Sequence, residues 1–146
     1  MQVYFGRKSP PIVDVCISSQ KLAVVDKVKL LGVIIDKDLK WEGHVDLMYT
    51  KANKKLFMLQ KLKEAGLDKE DLLTVYKGYV RPCLEYAAPL WNAGLIQKQV
   101  NRLEKIQKRV CRYILSRDNT SYPEGLETLQ LQSLQDRRLQ LCKEFA

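Results

Sequence analysis

With 146 residues, 46% of them hydrophobic, the chain is long enough to bury a core and too short for two full domains. That composition disfavours disorder, and no apolar run approaches the roughly eighteen residues of a membrane span, so a soluble protein that does not enter a membrane is expected. Twenty-five Lys and Arg against seventeen Asp and Glu leave a net charge of +8, which by itself favours polyanionic partners such as nucleic acid, or an anionic membrane surface, with a solvated basic face that binds nothing in particular as the competing account.

The opening Met-Gln-Val-Tyr-Phe-Gly-Arg-Lys lacks the layout of a secretory leader. Residues 2–5 alternate weakly, and the glycine and two prolines within residues 6–11 break that pattern. Residues 13–17 and 21–25 are rich in β-branched side chains and flank Ser18-Ser19-Gln20, which predicts a hairpin. The apolar run over residues 30–35 predicts a third, buried strand. The first forty residues therefore read as a small antiparallel sheet.

After Trp41 the period changes. Val45, Met48, Ala52, Leu56, Leu59 and Leu62 keep helical spacing, while Lys51, Lys54, Lys55 and Lys61 fall on other sides; Gly66 is the expected terminator. Asp68 is placed to cap a second helix, with Asp71 at its third position and Leu67 and Leu72 spaced as a staple. This helix is expected to carry Leu72, Val75, Tyr76 and Tyr79 inward, to kink at Pro82 and to end at Pro89. Asn92-Ala93-Gly94 makes the turn into a third helix over residues 96–115. A polar loop over residues 116–121 leads to a short helix with Pro123 at its first position, and Ser133 with Asp136 signals a final helix through Leu139, Leu141 and Phe145. The expected class is α+β, a small N-terminal antiparallel sheet followed by a helical bundle. Its divisions are a β region over residues 1–41, a bundle over 42–116 and a connector with a last helix over 117–146.

The third helix carries the most pointed charge pattern. Lys98, Arg102, Lys105, Arg109 and Arg112 fall within roughly 80° of one another at a hundred degrees per residue, beside an apolar arc of Leu103, Ile106, Val110, Tyr113 and Ile114. Lys108 adds a sixth cation and Glu104 is the one acid, an imbalance that helix stability alone does not favour. Such a stripe can follow a nucleic-acid backbone, and Lys51 and Lys55 on the first helix could extend it. Trp41, Tyr76, Tyr79, Tyr86, Trp91 and Tyr113 lie at core spacing and read as packed side chains, not base-stacking ones.

Other chemistry is weakly encoded. Cys16, Cys83, Cys111 and Cys142 are far apart and His44 is the single histidine, which indicates neither a zinc site nor a disulfide framework and fits reduced thiols in an intracellular protein, nuclear or cytoplasmic. Asp36 and Asp38 could in principle hold a magnesium ion, but a polar turn around Lys37 is the simpler reading. His44 has no neighbouring nucleophile, so packing or capping is its expected role.

Leu30-Leu31-Gly32-Val33, followed by Asp36, Leu39, Trp41 and His44, resembles the segment just after the catalytic core in reverse transcriptases of non-LTR (LINE-type, Jockey-like) retrotransposons. The likeness continues through Lys51-Ala52, Leu73-Thr74-Val75-Tyr76, Val80, Pro82, Leu84-Glu85-Tyr86, Trp91, Leu103-Glu104-Lys105-Ile106-Gln107 and Arg112. It extends to Tyr122-Pro123-Glu124 and Asp136-Arg137-Arg138-Leu139. The resemblance implies the edge of a palm, a primer-grip turn at Leu31 and Gly32, and a thumb built from the helices. Fingers and the Ala-Asp-Asp strand that holds two metal ions lie upstream in that family, and this sequence has no Asp-Asp pair. It thus implies a fragment of an RNA-directed DNA polymerase that is not an enzyme alone. Cofactors are expected to be none, magnesium belonging to the full polymerase, and the partner the backbone of RNA, DNA or their hybrid. The alternative is a folded remnant or interaction module that binds no nucleic acid and self-associates through the face a missing palm leaves.

Overall fold

Strand-forming residues fill the N-terminal part of the chain and helix-forming residues the rest. The computed structural model, which describes residues 2–5, 15–116 and 121–146, is α+β with that division. It forms two compact units, Met1–His44 and Val45–Ala146.

In the first unit β1 (Cys16–Ile17) pairs antiparallel with β2 (Gln20–Lys21). Ser18 and Ser19 both take positive φ, 50° and 65°, the twist a two-residue hairpin loop requires, so Gln20 belongs to the strand and not to the turn. The weakly alternating residues 2–5 contribute a parallel bridge between Gln2 and Val24. Residues 6–14, where the break and the start of the first strand were expected, lie outside the described residues, as do residues 117–120 of the expected polar loop.

The run over residues 30–35 is not one strand. It is divided between β3 (Lys27–Leu30) and β4 (Val33–Asp36), paired antiparallel with Leu30 opposite Val33. Leu31 and Gly32 form the two-residue loop at φ 46° and 86°. Apolar continuity hid this turn, because Gly32 supplies its conformation while Leu31 disguises it as strand. After β4, Asp36 folds the chain back: its carboxylate accepts from the Lys40 amide at 3.0 Å and its carbonyl from the Leu39 amide at 3.1 Å.

In the second unit the helices form a bundle. Helix α1 (Glu42–Glu64), which starts at the end of the first unit, buries Val45, Met48, Ala52, Leu56 and Leu59 as the spacing predicts. The chain leaves it through Gly66 at φ 94°. Asp68 caps α2 (Lys69–Val75) by accepting from the Asp71 amide at 2.9 Å. From here the buried residues are Leu72, Tyr76, Val80, Leu84 and Ala88, a step of four each time. Steps of four rotate about 40° per turn around a straight α-helix, so a helix alone cannot keep all five inside.

A π-helical turn over Tyr76–Val80 absorbs the drift, with the Arg81 amide donating five residues back to the Tyr76 carbonyl at 2.9 Å. It sits immediately before Pro82, which has no N–H to give Gly78. Tyr79 consequently turns outward, contrary to the inward position its spacing predicts. Helix α3 (Pro82–Glu85) then ends at Tyr86, and Ala87 at φ 54° begins α4 (Ala88–Trp91). Pro89 thus stands in the first turn of a helix, where it is tolerated, instead of ending one.

A 3₁₀ turn, Asn92–Gly94, leads to α5 (Gln97–Leu115), whose first turn is closed by Gln99 accepting from the Ile96 amide at 3.0 Å. Ser121 and Glu124 form a capping box on α6 (Tyr122–Thr128), and Ser133 caps α7 (Leu134–Phe145) by accepting from the Asp136 amide at 3.0 Å. Gly125 lets α6 approach α5: a Cβ there would lie 3.1 Å from that of Cys111. Burial pushes the Cys111 thiol up to about 11. No helix among the described residues is long and apolar enough to cross a membrane.

Polar groups lock the bundle. The Tyr76 hydroxyl donates to Gln107 Oε1, and Gln107 Nε2 donates to the Gln132 carbonyl at 2.8 Å and to the Tyr122 hydroxyl at 3.2 Å. Tyr122 in turn donates to Glu104 Oε2, while Glu104 Oε1 accepts from the Gln135 amide at 2.7 Å. Arg137 grips Glu85 through Nε at 2.7 Å and Nη2 at 3.2 Å. Arg138 is fully buried beside Trp91, its Nε bonded to Asn92 Oδ1 at 3.1 Å and both Nη groups without a partner among the described residues.

Two stability outcomes follow. Tyr76→Phe strands the Gln107 carbonyl oxygen in the core and should lower urea stability by about 1–3 kcal/mol at unchanged m; a change under about 0.5 kcal/mol would show that the network does not lock the bundle. Arg138→Met removes a costly buried charge at similar volume, so its unfolding midpoint should equal or exceed that of the parent, and a marked loss would overturn that account.

Candidate nucleic-acid interface

Helix α5 is buried over about half its circumference. Val100, Leu103, Ile106, Val110 and Ile114 are inside, and so are Gln99, Glu104, Gln107, Cys111 and Leu115. The buried arc is therefore wider than the apolar residues alone define. Glu104, the one acid on this helix, faces the core and is committed to Tyr122 and Gln135. What remains outside carries Lys98, Arg102, Lys105, Lys108, Arg109 and Arg112 and no carboxylate.

These cations are held differently. Lys98, Lys105 and Arg112 recur every seventh residue, so they line up along the axis at about 10 Å intervals. All three are exposed and have no hydrogen-bond or ion-pair partner among the described residues. Arg102 pairs with Asp46 of α1 and lies over the Tyr49 ring, 4.7 Å from its centroid. Arg109 donates through Nη1 to Asn53 Oδ1 of α1 at 2.7 Å and through Nη2 to the Tyr113 hydroxyl at 3.3 Å. Lys108 lies over the Tyr122 ring at 5.1 Å. The two bridges to α1 are seven residues apart on both helices, so α1 and α5 run side by side in the same direction here, joined by long side chains.

Lys51 and Lys55 are placed elsewhere. At a hundred degrees per residue they lie roughly 140° to 180° around α1 from Asp46, on the flank away from α5. Lys55 Nζ donates to the Tyr79 carbonyl at 2.9 Å and sits 4.1 Å from the Tyr79 ring centroid. The structure thus gathers Lys98, Arg102, Lys105, Arg109 and Arg112 on one face and sets Lys51 and Lys55 on another. Tyr49, Asn53 and Asp46, which orient the arginines, were not singled out by sequence; their i, i+3, i+7 spacing on one flank of α1 is the signal that carries them.

Of the aromatics, Trp41, Tyr76 and Trp91 are buried, whereas Tyr79 and Tyr86 are exposed. His44 is buried, with Nδ1 accepting from the Ile34 amide at 3.4 Å and its ring edge-on to Trp41. Asp36 is buried and occupied with Lys40, Asp38 is exposed beside Lys40 at 3.7 Å, and no cluster of three or more His, Cys, Asp or Glu suited to a metal ion is present among the described residues. In the first unit Leu31 stands 83% exposed at the hairpin tip, next to the exposed Leu30, with Gly32 completing the turn. No family model, curated protein or solved structure matches this chain.

A leucine at φ 46° carries a steric cost of about 1–2 kcal/mol that asparagine largely avoids. Leu31→Asn should therefore raise the stability of the β3–β4 hairpin, seen as slower hydrogen exchange of its cross-strand amides by about threefold or more. Unchanged or faster exchange would mean that Leu31 contacts outweigh the strain.

Proposed function

We propose that the chain is a palm-edge and thumb fragment of a retrotransposon-type reverse transcriptase, non-catalytic alone, that binds the backbone of RNA, DNA or their hybrid without sequence preference. The observation that carries this reading is the exposed face of α5, which presents six cations while its one carboxylate is turned into the core. A run from Lys98 to Arg112 extends about 21 Å, the axial rise of about six nucleotides of one strand. Cations in such a row contact phosphates and position a duplex, and they carry no base readout. The ordered likeness of residues from Leu30 to Leu139 to the non-LTR enzymes supports the same reading, with the Leu31–Gly32 turn in the place of a primer grip.

The test is a titration with a labelled RNA–DNA hybrid across about 50 to 200 mM salt, where affinity near the micromolar range and a steep salt dependence are expected. Replacing Lys98, Lys105 and Arg112 together by Gln should flatten the slope of log K against log salt by about 2 to 3, at unchanged helicity. An unaltered slope in that triple variant would remove the role given to the row.

A second reading draws on the first unit, which leaves Ile17, Val24, Leu30 and Leu31 exposed. Exposed apolar side chains on short strands favour a protein partner, and an interaction module that self-associates fits them. Light scattering that returns a monomer at high concentration, together with tight hybrid binding, would rule it out.

A further inference from the structure

Helices α1 and α5 offer two seats for an arginine, seven residues or about two helical turns apart. Arg102 sits opposite Asp46 and Arg109 sits opposite Asn53, with the same seven-residue step on each helix. The geometry repeats and the chemistry does not: Asn53 orients Arg109 and leaves its charge whole, whereas Asp46 cancels that of Arg102. We propose that Asp46 is a built-in competitor for phosphate, which holds Arg102 out of the cationic row and sets the salt sensitivity of nucleic-acid binding, while Asn53 holds Arg109 ready for a phosphate. This inference rests on the nucleic-acid reading of the α5 face.

The pairing is suited to exchange. The side chains of Arg102 and Asp46 are 41% and 51% exposed, and ion pairs so open to water are weak, so a phosphate can take the guanidinium from the carboxylate. The Tyr49 ring beneath Arg102 keeps the guanidinium plane in place whichever anion it meets. Arg109 has the equivalent support from Tyr113, whose hydroxyl accepts from its Nη2. Each seat therefore combines an aromatic side chain with an oxygen from α1, a carboxylate for Arg102 and a neutral amide for Arg109, and Arg109 has the Tyr113 hydroxyl in addition.

Exchanging the two seats' chemistry tests the idea on the full chain, with the same RNA–DNA hybrid as probe. Asp46→Asn should tighten binding about three- to tenfold at low salt and steepen the slope of log K against log salt by about 0.7 to 0.9, the increment of one further phosphate. Asn53→Asp should do the reverse by a similar amount.

A cycle with Arg102→Gln shows whether the gain runs through this seat. Added to Asp46→Asn, Arg102→Gln restores the parental net charge and should abolish the gain, returning the slope of log K against log salt to its parental value. A gain that survives without Arg102 would overturn the proposal, as would an Asp46→Asn variant with parental affinity and slope. If the parent itself does not bind the hybrid, the reading of the whole face falls and the competitor role with it. Both positions lie on the surface, and thermal melts of each variant confirm that the fold is common to all arms.

Discussion

The rotation of α5 about its own axis is the constraint on which the rest of the second unit depends, and two polar side chains set it. Glu104 and Gln107 would be expensive inside an apolar core without partners. The fold supplies them from every direction: Tyr76 from the π turn, Tyr122 from α6, the Gln132 carbonyl from the segment before α7, and the Gln135 amide from its first turn. Rotating α5 by even one position would break this set at a cost of several hydrogen bonds to buried groups. Burial also holds the Tyr122 hydroxyl, with Glu104 beside it, firmly protonated, so the phenol stays a donor to the carboxylate. With Glu104 fixed inward, the outward surface of α5 has only cations and amides left to show. The positive face is thus a consequence of how the core satisfies its polar atoms.

The same network explains which features the sequence made legible. Where burial is apolar and the period regular, as on α1, the residues inside are those the spacing names. On α5 the apolar arc is right in direction and too narrow, because a hydrophobic pattern counts Glu104 and Gln107 as surface. From α2 through the π turn to α3 and α4, the residues Leu72, Tyr76, Val80, Leu84 and Ala88 step by four, a rhythm that a straight helix cannot keep; the turn that rescues it also expels Tyr79. Pro82 marked the place of the irregularity, though a proline does not say whether a kink, a stop or a wider turn will follow. In the first unit the Leu31–Gly32 loop was hidden because a leucine in a left-handed conformation leaves no trace in an apolar run.

Which cations share a face was legible on one helix and not across two. Angular position along α5 is arithmetic, so Lys98, Arg102, Lys105, Arg109 and Arg112 group together as their spacing predicts. Lys51 and Lys55 depend on how α1 is turned toward α5, which only tertiary packing decides. The flank that meets α5 is the one with Asp46, Tyr49 and Asn53, and the lysines lie round the other side, Lys55 against Tyr79. The neighbours that matter to the arginines are consequently an acid, an amide and a ring, none of which a search for basic residues would find.

The two units treat conformational strain differently. Among the described residues of the bundle, positive φ at non-glycine positions is confined to places where the chain changes direction: Ala87, Ser116 and Gln130. In the first unit Leu31, Leu39 and Trp41 all take it, within eleven residues, at about 1 kcal/mol or more each. Such a segment persists only when its surroundings over-determine it, and here Asp36 ties down Leu39 and Lys40 while His44 takes the Ile34 amide. Stability alone would select asparagine or glycine at the hairpin tip, since leucine there is both strained and 83% exposed. Turn geometry at the β3–β4 tip therefore accounts for Gly32, which takes φ 86° without a Cβ to clash, and not for Leu31, which must be held at φ 46° by the hairpin on either side of it.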